Sequence, residues 1–133
     1  MIFIDASAYL SALLPNDPNR EKAVEILQSF AANQDQLMTS YAILGEVFTV
    51  SSQRYDRQKG IRFVKQIIQG QITLVLETDE LIDKTFKIFY QIKDKDVSWV
   101  DCYSFAIIET YKVETVFSFD HHFKKYINAK VLG

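Results

Sequence analysis

Short apolar runs alternate along this chain with longer segments in which apolar residues recur every three or four positions, and this alternation restricts the fold more than any other feature. The short runs read as buried strands and the longer segments as helices. Strands separated by helices pair by crossing over, which gives a mostly parallel sheet with helices on both faces. Strands are predicted at residues 1–4, 37–38, 72–76 and 115–119, with a last edge strand at Val131-Leu132. A first helix, 7–14, stops at Pro15 and the Asn16-Asp17 turn. Asp17 is the expected cap of a second, which starts at Pro18 and runs to residue 32 with Ala23, Val24, Ile26, Leu27 and Phe30 on one stripe. Thr39 or Ser40 opens a third through residue 52, and residues 57–69 form a fourth that Gly70 ends. Asp79 is expected to cap a fifth helix, which carries Leu81, Ile82, Phe86, Phe89 and Ile92. Ser98 opens a sixth to residue 111, and a short turn spans residues 121–126. The expected fold class is α/β, a three-layer α/β/α sandwich around a mostly parallel central sheet.

At 133 residues the chain has the length of one domain, 1–133. Hydrophobic residues make up 48% and prolines number two, with no low-complexity stretch, so a packed core rather than a disordered chain is expected. The opening residues meet charge at Asp5, too soon for a signal peptide, and no apolar run approaches the roughly 20 residues of a membrane span. A cytoplasmic location with no membrane contact is expected. Cys102 stands alone, which rules out an internal disulfide and suits a small buried apolar role. A net charge of −2 argues against nucleic-acid binding through a broad basic field and leaves only local clusters. One comprises Arg54, Arg57, Lys59, Arg62 and Lys65, and a smaller one Lys124 and Lys125. Most such runs are solvated helix faces.

Four acids stand out against this frame. Asp5 and Asp120 end two of the apolar runs, so their carboxylates project from the C-terminal ends of strands, where open α/β sheets bind ligands. Each is also placed to cap the helix that follows. Ser7 is placed to orient Asp5 or to touch a water at a metal. Glu46 has Ala42, Ile43, Thr49 and Val50 as its neighbours at helical spacing, a largely apolar face with no basic partner. An ionised group taken from water is costly unless paired or metal-bound, so Glu46 either reaches solvent at the edge of the stripe or has a ligand. Asp101 completes the capping box Ser98-Trp99-Val100-Asp101, and a helix N-terminus favours its ionised form. Asp94 and Asp96 compete less well, because Lys93 and Lys95 are interleaved with them. His121 and His122 have no histidine partner at i+4, and neighbours at a helix start diverge, so both are expected at the rim, without a zinc site.

Asp5-Ala6-Ser7 after a first strand, Glu46 inside a helix, Ser98-x-x-Asp101 opening a later helix, and Ser118-Phe119-Asp120-x-x-Phe123 after the next strand together resemble a PIN domain, over essentially the whole chain. Within that family the chain is most similar to the compact VapC toxins of prokaryotic type II toxin–antitoxin pairs. The resemblance implies an endoribonuclease that hydrolyses RNA phosphodiester bonds with a Mg²⁺ (or Mn²⁺) cofactor held by Asp5, Glu46, Asp101 and Asp120, with Ser7, Ser98 and Ser118 in support. It also implies an RNA substrate, a cognate antitoxin and a homodimer, for which exposed Tyr and Phe on the early helices are the expected interface. Arg54, Arg57, His122 and Lys124 are the candidate RNA contacts at the pocket rim. Hard divalent cations choose oxygen ligands, so the donor set agrees with the implied cofactor.

A signalling receiver domain also gathers aspartates at strand ends, but it wants a phosphoacceptor after its third strand, where this chain has Leu76-Glu77-Thr78. A haloacid-dehalogenase phosphatase wants Asp-x-Asp after the first strand, where the third residue here is Ser7. The remaining alternative is a noncatalytic RNA-binding or protein-binding module, since a fold does not by itself fix a function.

Overall fold

The computed structural model describes all 133 residues. Five strands, β1 (Ile2–Ile4), β2 (Leu37–Ser40), β3 (Ile72–Val75), β4 (Thr115–Phe117) and β5 (Lys130–Leu132), form one sheet in the order β3-β2-β1-β4-β5. All four pairings are parallel, so the sheet is wholly rather than mostly parallel. Seven helices flank it: α1 (Ala6–Leu13), α2 (Arg20–Asn33), α3 (Tyr41–Arg54), α4 (Arg57–Gln69), α5 (Asp79–Gln91), α6 (Trp99–Thr110) and α7 (His121–Tyr126). The chain lays β2 and β3 to one side of β1, then returns to lay β4 and β5 on the other. Winding therefore reverses between β1 and β4, and the C-terminal ends of those two strands border the crevice such a reversal leaves.

Helix α6 shows how the core is made. Cys102 through Ile108 are all buried, with no polar face left over, because α5 packs over the helix. Phe105 stacks edge-on against Phe123 of α7 at 5.2 Å, and Phe30 of α2 meets Phe117 of β4 at 5.8 Å. Each such buried side chain stabilises the fold by about 1.5–3 kcal/mol relative to exposure. No helix is long and apolar enough to cross a membrane. The most exposed large aromatics include Phe86, Phe89 and Tyr90 on α5 as well as Tyr41 on α3, so they are not confined to the early helices.

Helix starts differ from expectation at two places, each for a local reason. The Asp17 carboxylate accepts from the Asn19 amide at 2.8 Å and so closes a turn that keeps Pro18 outside; α2 then begins at Arg20. Thr78 rather than Asp79 caps α5, accepting from the Leu81 amide at 3.2 Å, which places Asp79 in the first turn. Ser40 caps α3, while the neighbouring Thr39 is buried and donates to the Ile4 carbonyl at 2.9 Å, tying β2 to the end of β1. Where α3 crosses α4, Gly60 is buried, and a Cβ there would stand 2.9 Å from the Cβ of Ser51 and closer still to its hydroxyl. Gly60→Ala is therefore expected to lower stability by about 1–2 kcal/mol despite the better helix former, because the overlap outweighs the propensity gain. Urea unfolding measures this, and an unchanged midpoint would show that the two helices separate freely.

Candidate active site

Asp5 is 4% exposed at the end of β1 and caps α1. Its Oδ2 accepts from the Ser7 hydroxyl at 2.6 Å, the Ser118 hydroxyl at 2.9 Å and the Ser7 amide at 3.2 Å. Each hydroxyl spends its one proton on Asp5 and accepts in turn from a backbone amide beyond β4: Ser7 from Phe119 and Ser118 from Asp120, both at 3.0 Å. Two serines thus hold one carboxylate oxygen from both sides of the crevice. Of the alternatives open to Ser7, the structure shows it orienting Asp5. Burial pushes the Asp5 carboxyl above the usual carboxylate range, and the serine hydrogen bonds only partly oppose that.

The other three acids approach from three different helices. Asp120 caps α7 by accepting from the His122 amide at 2.8 Å. Asp101 sits in the capping box of α6, its Oδ2 accepting from the Ser98 amide at 2.8 Å while its own amide donates to the Ser98 hydroxyl at 3.0 Å. Helix-terminal position was expected to keep Asp101 readily ionised, yet its pKa is raised. Burial outweighs the Ser98 hydrogen bonds, and the charge of Asp120 adds to the effect. Glu46, half-buried in the second turn of α3, is pushed up to about 7, first by burial and then by the charges of Asp5, Asp101 and Asp120. Glu46 therefore feels the charges of the other three, and Asp101 that of Asp120. None forms an ion pair with a lysine or arginine.

That raised pKa fixes a pH dependence. Glu46 binds its proton more tightly in the fold, near 7, than at its ordinary value of 4.5. Its contribution to stability is thus fully present below the lower value and is lost as pH rises through the upper one. Metal-free protein is expected to melt at a higher temperature at pH 5.5 than at pH 8, with Asp5 and Asp101 acting in the same direction. Glu46→Gln should flatten that slope in thermal melts at the two pH values; an undiminished slope would assign the effect elsewhere.

Of the other candidates, Asp94, Asp96, Arg54, Arg57 and Lys124 are engaged or placed elsewhere, and His122 lies beside Asp120. Asp94 is engaged by Lys125 at 3.3 Å and by the Tyr126 hydroxyl at 3.4 Å, and backbone and lysine contacts hold its carboxyl below the usual range. It also lines the largest cavity, about 790 Å³ between α5 and the following loop, which contains none of the four acids. Asp96 is exposed. Arg54 lies eight residues beyond Glu46 on α3, about 12 Å along the axis, and Arg57 donates to Ser52 at 2.8 Å beyond the end of that helix. Lys124 is exposed, with its ammonium 3.2 Å from the Gly133 carbonyl. His122 does not lie at the rim. It is 5% exposed, so it is no surface contact, because its ring packs against Tyr126 and turns inward beside Asp120. Nor do the two histidines diverge: their rings lie 4.1 Å apart, and each offers a nitrogen within 4.8 Å of the other and of an Asp120 oxygen. The role of His122 beside Asp120 and that of Thr39 behind Asp5 were not foreseen. The Thr39 contact spans 35 residues and leaves no local signal, whereas Tyr126 at i+4 from His122 marks an inward-facing stripe on α7.

A wholly parallel sheet with a cluster of acids at its winding reversal, unpaired with any lysine or arginine, defines a class of α/β proteins suited to binding a hard cation. The chain belongs to the PIN domain family, whose model matches residues 2–128. It is 22% identical over 123 residues, 92% of each chain, to the 23S rRNA-specific endonuclease VapC20 of Mycobacterium tuberculosis. The crystal structure of that protein, a Sarcin-Ricin loop cleaving toxin, superposes with a TM-score of 0.84 at 20% identity over 94% of both chains. VapBC2 from Rickettsia felis, bound to a DNA fragment from its promoter, matches with a TM-score of 0.70 at 12% identity over 99% of this chain and 98% of that one.

Proposed function

We propose that this protein is a divalent-metal-dependent endoribonuclease and the toxin of a type II toxin–antitoxin pair. The observation that carries the first part is the convergence of Asp5, Glu46, Asp101 and Asp120 without a lysine or arginine to neutralise them, only the two histidines beside Asp120 coming near. Four carboxylates held together against burial and mutual repulsion are costly as structure alone, and their all-oxygen donor set fits Mg²⁺ or Mn²⁺. Such an ion, when bound, lowers the pKa of water and offsets charge on phosphoryl oxygens.

The protein's own part is positioning. Ser7 and Ser118 fix the rotamer of Asp5, the capping box fixes Asp101, and the helix-capping bond fixes Asp120, so three acids are set before any ligand arrives. Glu46, on the second turn of α3, faces the other three acids, whose charges together with burial push its pKa up to about 7 in the metal-free protein. Arg54, Arg57 and Lys124 are placed outside this centre and serve the flanking phosphates. The endonuclease name of VapC20 supports RNA as substrate, and the VapBC2 complex supports an antitoxin partner. A homodimer through the exposed aromatics and a cytoplasmic location complete the reading.

The deciding experiment incubates the purified protein with ribosomal RNA, transfer RNA and single-stranded DNA in Mn²⁺ and maps new internal ends. Discrete internal cuts in RNA are expected. RNA bound without new ends would instead favour the noncatalytic binding module.

A further inference from the structure

We infer that His122 is a positioning residue whose buried imidazole, set between the carboxylates of Asp120 and Asp94, holds Asp120 in the arrangement the acidic site requires. The inference rests on reading the four acids as a metal site. His122 Nδ1 lies 2.9 Å from Oδ1 of Asp120, and Nε2 lies 3.7 Å from Oδ2 of Asp94. The ring is held in place by Tyr126 on one side, at 6.4 Å with 28° between planes, and by His121 at 4.1 Å. Lys125 and the Tyr126 hydroxyl anchor Asp94 from behind, so the chain Lys125, Asp94, His122, Asp120 runs from the surface into the site.

Two features separate this role from simple core filling. Both ring nitrogens are buried, yet neither has a hydrogen bond of good alignment, although a carboxylate stands close to each. A buried polar group left in that state needs a reason other than stability, since an apolar side chain of similar size packs there at less cost. In addition, His122 is the only side chain able to carry positive charge within 4.0 Å of Asp120 apart from the exposed His121. Groups that stand behind a metal's carboxylates tune affinity by orienting them, typically by about 10–100-fold.

The test titrates Mn²⁺ alone by calorimetry into wild-type protein, His122→Leu, His122→Asn and His122→Gln, and records metal-free melting temperatures for each. His122→Leu is expected to bind Mn²⁺ about 10–100-fold more weakly while melting at the same temperature or higher. A residue that only fills the core would give the reverse, a lower melting temperature with unchanged affinity, and that result overturns the inference. Asn places an amide near the Nδ1 position and Gln near Nε2, so Asn should recover most of the affinity and Gln should not. Equal affinity in those two variants overturns the inference even if the Leu variant does not fold. Wild-type protein that takes up no Mn²⁺ would overturn the metal-site reading as well, which separates the two failures.

Discussion

Asp5→Asn protein is expected to cleave RNA at least about 10³-fold more slowly than wild type, a loss typical of removing one member of a group that acts as a unit, while remaining folded. The substitution removes a charge and little else. The amide oxygen can still accept from the Ser7 and Ser118 hydroxyls, which now donate to Oδ2 at 2.6 and 2.9 Å, so the crosslink between the end of β1 and the segment after β4 survives. What disappears is a negative charge in a site where burial already raises the pKa of the acid and where Glu46 feels its repulsion. The metal-free melting temperature should therefore stay level or rise, as happens when functional groups are held against the preference of the fold. Single-turnover cleavage and a thermal melt on the same preparation check both halves. A folded Asp5→Asn protein that cuts at the wild-type rate would remove Asp5 from the chemistry.

The second large effect comes from chelation. Excess EDTA should abolish cleavage, and restoring Mn²⁺ at about 100 times its dissociation constant should stabilise the fold by about 2.7 kcal/mol through mass action, a rise on the order of 10 °C in melting temperature for a domain of this size. At a fixed Mn²⁺ concentration the size of that rise reports the affinity of the site for the ion. In Asp5→Asn the rise should largely vanish. Cleavage that persists in EDTA would leave the four acids without a metal role, and a melting temperature indifferent to Mn²⁺ would say that no ion is held there.

Much of the fold was legible because the signals are local. The β1 and β4 runs each end in an aspartate that does cap the next helix, and Ser98 with Asp101 forms the capping box their spacing announces. For Asp5 and Asp120 capping does not exclude a place in the site, since a cap residue after a strand of a parallel sheet sits at the sheet's C-terminal edge. What the sequence concealed depends on contacts made at a distance or on competition between neighbouring caps. Thr78 outcompetes Asp79, and the Asp17 turn holds Pro18 out of α2, choices between adjacent residues that composition does not rank. His122 looked like a rim residue because Asp120, His121, Lys124 and Lys125 around it are charged or polar, although Phe123 beside it is apolar. Its burial follows from Tyr126, Asp94 and Asp120 closing around it. Exposed aromatics on α5 were likewise hidden, because a stripe of Phe86, Phe89 and Tyr90 reads the same whether or not a neighbouring layer covers it.

The Ser118 bridge onto Asp5 spans 113 positions and the contact between the Ser7 and Ser118 hydroxyls spans 111, and β1 finds its β4 partner only across the same distance in sequence. A growing polypeptide consequently has no assembled acidic centre until synthesis has passed Asp120, because neither Ser118 nor the amides that orient the two hydroxyls exist before then. On the function proposed above, this ordering of parts would act as a safeguard in time, since a nascent chain that has not yet passed Asp120 lacks one of the four acids and the bridge that orients another.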